Sequence, residues 1–70
     1  MVDTIRLKKL RCSEGFFTAA GFARALGMNE IAYRNRENGV VPFTAEEFIR
    51  ICDALGISLE SGVEILIKSG

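Results

Sequence analysis

Seventy residues bury only about 60% of the surface their unfolded chain exposes, so a stable fold must be one compact, locally well-specified unit. Hydrophobic residues at 49% and a formal net charge of zero exclude a disordered polyelectrolyte tail, and they argue against a strong basic footprint of the kind that coats nucleic acid. Histidine is absent and only two cysteines occur, Cys12 and Cys52, which excludes a four-ligand zinc site, a disulfide framework and the commonest general base of catalysis.

A first helix is expected to start at Asp3, an N-cap flanked by Val2 before it and Leu7 four positions after it, the spacing of an apolar staple. Phe17, Thr18 and Phe22 repeat that grammar for a second helix, and Met28, Asn29 and Tyr33 for a third. Phe43, Thr44 and Phe48 open a fourth, where Glu47 completes a capping box with Thr44. A fifth starts at Ser58, with Leu59, Val63 and Leu66 at helical spacing, although Gly62 stands at the stapling position. Gly15, Gly27, Gly39 and Gly56 each follow a helical stretch where a left-handed residue ends it at little cost. Connections of about three to five residues are expected, with no flexible linker between them. The only β-like stretch, GVVPF, is short and holds Pro42, which cannot donate to a ladder. The aromatic residues mostly fall at staple positions and are expected in the core, as is Cys52 between Ile51 and Leu55.

Charge is unevenly spread. Residues 1–39 carry seven Lys and Arg against four acids, and residues 40–70 carry two against five. One face can therefore meet a polyanion while another meets solvent or a partner. No apolar run approaches the ~18 residues of a membrane span, and the opening MVDTIRLKKL lacks the apolar core of a signal peptide. A cytoplasmic protein with reduced thiols is expected, with no enzymatic role, no cofactor and no small-molecule ligand.

Residues 18–39, TAAGFARALGMNEIAYRNRENG, hold two short helices joined by a turn that permits only an angled crossing, a helix-turn-helix unit within one 1–70 domain. Ala23 stands where the two helices approach, Gly27 supplies the turn, and Phe22, Leu26, Met28 and Tyr33 face inward. From Thr18 through Ala23, Gly27 and Glu37 to Gly39 the sequence resembles, without a gap, the lambdoid phage repressor and Cro family of DNA-binding domains, also called the XRE type. LRCSEGF resembles the end of that family's first helix, and DALGISLESGVEIL the end of its fourth and its fifth. The resemblance implies an all-α, five-helix fold and a bacterial or phage transcriptional regulator. It also implies that the regulator binds double-stranded DNA as a dimer on two half-sites, its third helix in the major groove. A further implication is that Arg11 and Glu37 bury an ion pair between the first and third helices.

The outward positions of the third helix are Glu30, Ile31, Arg34 and Asn35, with Asn38 at its end. Asn35 can pair bidentately with adenine and Ile31 can meet a thymine methyl. Glu30 can accept from a cytosine amino group, and Arg34 can take a guanine or a phosphate. Thr18, Ala19, Asn29 and Asn38 are candidates for the DNA backbone, Ala19 through its amide alone. Several residues depart from the family pattern. Ala19 replaces a glutamine, Arg36 an apolar or aromatic residue, Val40 and Val41 a basic loop, and one extra residue separates Gly15 from Thr18. These departures keep open a second reading, a protein-interaction module that retains the fold and has lost DNA affinity. The C-terminal VEILIK is more apolar than a surface helix needs, and Ile65, Leu66 and Ile67 cannot all face one small core, so a homodimer through that helix is expected.

Overall fold

In the computed structural model, which describes residues 1–67, each helix begins where a polar side chain can take up backbone donors that the first turn leaves free. Asp3 accepts from the Arg6 amide and opens α1 (Thr4–Ser13), and Thr18 accepts from Gly21 and opens α2 (Ala19–Leu26). Asn29 accepts from both Ile31 and Ala32 at the head of α3 (Glu30–Glu37). The Thr44 and Glu47 capping box opens α4 (Ala45–Leu55), and Ser58 opens α5 (Leu59–Leu66) by accepting from Ser61. Among the described residues there is no strand. Lys68, counted in the charge balance of the second half, lies outside the described residues.

Every helix places one large side chain fully out of solvent: Leu7, Phe22, Tyr33, Ile51 and Leu66. Burying side chains of this size stabilises the fold by roughly 1.5–3 kcal/mol each before conformational entropy is set against it. An aromatic row runs through the middle, from Phe16 to Phe22 at 4.9 Å, Phe22 to Tyr33 edge-on at 5.5 Å, and Tyr33 to Phe43 at 5.9 Å. Ala23 is buried and Met28 packs on the core, as expected for the α2 to α3 crossing. Gly27 ends α2 at φ 70°, a left-handed conformation in which any side chain would be strained.

Two expectations are corrected. Phe17 does not staple α2, being 76% exposed, and Phe16 packs on Phe22 instead. The reason is local. Phe16 is fixed by its amide to the Arg11 carbonyl at 2.8 Å and by its carbonyl to Arg11 Nη1 at 2.7 Å, so the inward place is already taken before the chain reaches Thr18. The connection between α3 and α4 spans residues 38–44, longer than expected, because it folds back so that the Val40 and Val41 amides both donate to the Asn35 carbonyl.

Gly62 also acquires a reason. A Cβ there would lie 2.3 Å from Cys52 Sγ and 3.3 Å from Phe48 Cζ, so α5 approaches α4 as closely as it does only without a side chain at that position. The start of the chain is tied in as well, through the Asp3 amide to the Leu66 carbonyl at 2.7 Å.

Candidate nucleic-acid interface

α3 has two unlike faces. Tyr33 and Glu37 point inward and are buried, while Glu30, Ile31, Arg34, Asn35 and Asn38 are all exposed. Since i, i+3 and i+4 positions share one side of a helix, the four base-reading candidates form a continuous outward stripe.

That stripe is anchored from behind by Glu37. Arg11 on α1 grips its carboxylate with two parallel bonds, Nε to Oε2 at 2.9 Å and Nη2 to Oε1 at 3.2 Å, and the Tyr33 hydroxyl donates to the same carboxylate. Both charged side chains are almost fully enclosed. Burial alone would raise the Glu37 carboxyl, but the bonds from Arg11 and Tyr33 outweigh it and hold the group below its ordinary value. Burial pushes the Tyr33 hydroxyl well up, and the Glu37 carboxylate beside it adds to that, so Tyr33 stays a donor. The hydrogen bond from Arg11 to Glu37 keeps the guanidinium firmly charged.

The end of α3 is fastened a second time, by a contact between two residues that the sequence pattern does not link. Arg36 Nε donates to Glu47 Oε1 at 2.8 Å and its Nη1 to the Ala32 carbonyl at 3.0 Å. Burial by itself raises the Glu47 carboxyl, yet the Thr44 amide and Arg36 bring it below its ordinary value. Arg50 closes the end of α2 from α4, through Nη1 to the Leu26 carbonyl at 3.3 Å. Nothing in local sequence spacing links Arg36 to Glu47 or Arg50 to Leu26. The link between Tyr33 and Glu37 is an i, i+4 pair and was available to a helical reading.

On the outward side, Arg34 Nε donates to Glu30 Oε2 at 2.8 Å, with both side chains about half exposed. An exposed pair of this kind is worth only about 0.3–0.5 kcal/mol, so a phosphate or a guanine edge can displace Glu30. Asn35 remains exposed beside them. Thr18 and Asn29 spend their side-chain oxygens on capping, which leaves the hydroxyl proton and the amide nitrogen as donors. Ala19 is buried by its methyl group and offers the interface its first-turn amide only. Asn38 is the C-cap residue of α3, with an exposed side chain. The structure thus gathers all eight candidates around α3 and the start of α2.

A helix-turn-helix family model matches residues 7–61. The chain belongs to the helix-turn-helix family, of the lambda repressor and Cro type. No curated protein and no solved structure matches it. As a helix-turn-helix protein the chain carries a DNA-binding domain of the kind typical of transcription regulators, a family of regulatory domains and not of enzymes. No helix among the described residues is long and apolar enough to cross a membrane.

Proposed function

We propose that this helix-turn-helix protein is a sequence-specific transcriptional regulator of bacterial or phage type. It acts in the cytoplasm as a dimer on a two-half-site operator, with α3 in the major groove of double-stranded DNA. The observation that carries the reading is the exposed stripe of Glu30, Ile31, Arg34 and Asn35 on a helix whose other face is locked by the buried Glu37. Asn35 reads adenine, Ile31 packs on a thymine methyl, and Glu30 accepts from a cytosine amino group. Arg34 leaves Glu30 to take a guanine or a phosphate, while Thr18, Asn29, Asn38 and the Ala19 amide position the DNA backbone. Self-association through α5 is supported by Leu59 and Ile67, which remain 50% and 37% exposed while Leu66 is fully buried.

The uncharged Val40 and Val41 connection and the exposed Phe17 favour, as the second reading, an interaction module without DNA affinity. Selection from a randomised duplex pool, followed by titration at about 50 and about 200 mM salt, separates the two. The regulator returns an enriched bipartite site, with half-site centres about one helical turn apart or a multiple of it. Absence of any binding at the lower salt removes the regulator and leaves the module.

A further inference from the structure

Between the start of the chain, the 38–44 connection, α4 and α5 lies an open groove of about 570 Å³, whose walls include Val41, Phe48, Ile49, Leu59 and Val63. Ile49 and Leu59 are 53% and 50% exposed, large apolar surfaces at the mouth of an apolar groove. The charged side chain in its walls, Arg36, is already paired with Glu47. At roughly 3.6 residues per turn, Asp53 flanks Ala45 and Ile49 on α4 and Glu60 flanks Val63 and Ile67 on α5, while Glu46 on the same side of α4 is paired with Arg50 at 2.8 Å. The groove is therefore apolar in the middle and acidic at the edge.

A second patch adjoins it, with Thr4 common to both. On the outer face of α1, Ile5 is 69% exposed and stands among Lys8, Lys9 and Cys12. This patch has the same plan with the opposite charge. Pairing groove with groove would set acids against acids, which costs affinity, whereas pairing groove with α1 matches both the apolar centres and the charged edges. Because both patches belong to one molecule and adjoin at Thr4, one two-fold rotation can bring each patch onto its opposite in the other copy, the symmetry of an isologous interface.

We propose that a second copy of this chain occupies the groove with the outer face of its α1, Ile5 lying over Ile49 and Leu59 and Lys8 and Lys9 facing Asp53 and Glu60, with the reciprocal contact on the other side. The proposal rests on the self-association put forward above and names its surfaces. None of Glu30, Ile31, Arg34 and Asn35 lines either patch, so pairing leaves the α3 stripe free.

Sedimentation equilibrium without DNA tests it on four proteins: the parent, Lys8→Glu with Lys9→Glu, Asp53→Lys with Glu60→Lys, and an Arg24→Glu with Arg34→Glu control that changes net charge as the first double variant does. All these positions are exposed, and thermal melts by circular dichroism check that each variant folds. The parent dimerises, each patch variant weakens the dimer by about tenfold or more, an equimolar mixture of the two patch variants recovers it, and the control matches the parent. A dimer unaffected by the patch substitutions, a mixture that fails to recover, or a control weakened equally overturns this interface and leaves self-association standing. A parent that stays monomeric at about 0.5 mM overturns both. Neither result touches the reading of DNA by α3 or pairing on the operator itself, because no DNA is present.

Discussion

Glu37 joins α1 and α3 with one carboxylate, accepting from Arg11 twice and from Tyr33 once. Replacing it by glutamine leaves the Arg11 guanidinium buried without its countercharge, and breaking a buried pair from one side costs about 3–5 kcal/mol. Glu37→Gln should therefore lose stability in urea by that amount, and a loss under about 1 kcal/mol would show the pair to be dispensable. The same carboxylate sets an acid limit. Its folded value lies below the ordinary 4.5, so as pH falls the unfolded chain binds the proton first, and the pair's contribution, complete above that value, drains away as pH drops through the lower folded one. Melting temperature should fall with pH across that window in the parent and less so in Glu37→Gln. Some slope persists in the variant, because Glu47 is held low by Thr44 and Arg36 and contributes with the same sign.

At the scale of elements, the cap residues Asp3, Thr18, Asn29, Thr44 and Ser58 were all legible, because capping is chemistry between a side chain and amides two or three residues on. Asn29→Ala removes the acceptor for two amides at the head of α3 and should cost about 1 kcal/mol, measured by urea denaturation. What local grammar does not carry is which of two neighbours wins a place in the core. Staple spacing selects Phe17 over Phe16, and only the bonds between Arg11 and the Phe16 backbone turn Phe16 inward and leave Phe17 out. Phe17→Ser should accordingly change stability by no more than about 0.5 kcal/mol, the range of exposed positions. Gly62 likewise reads as a flaw in a staple until the approach of α5 to Cys52 is seen. Gly62→Ala should destabilise by about 1–3 kcal/mol through overpacking, and Cys52→Ala in the same chain should restore part of the loss. Equal losses with and without Cys52 would place the clash against the Phe48 ring instead, because alanine by itself favours the helix.

For the whole molecule the decisive quantity is how much positive charge reaches DNA. The outward stripe of α3 was readable from spacing, and so was the i, i+4 pairing of Arg34 with Glu30, but the turn of Arg36 to Glu47 was not, since that depends on an acid brought in by packing. Arg36 is turned to Glu47 and Arg34 rests on Glu30, and the 38–44 connection that follows α3 carries no cation at all. Few phosphates can then be neutralised, so affinity should fall only gently with salt, each phosphate contact adding about 0.9 to the slope of log K against log salt. Within that shallow dependence the two central residues should separate. Asn35→Ala removes a contact to a base edge and should cost about 1–3 kcal/mol on the selected site while leaving random duplex nearly unchanged. Arg34→Ala, if Arg34 serves a phosphate, weakens all sequences alike and lowers the slope by about one unit. Glu30→Gln gives the complementary result, because it frees Arg34 from its resting partner, so binding to random duplex strengthens and the slope steepens. Fluorescence anisotropy at several salt concentrations measures all three. A slope that is the same for parent, Arg34→Ala and Glu30→Gln would mean that Arg34 does not serve a phosphate.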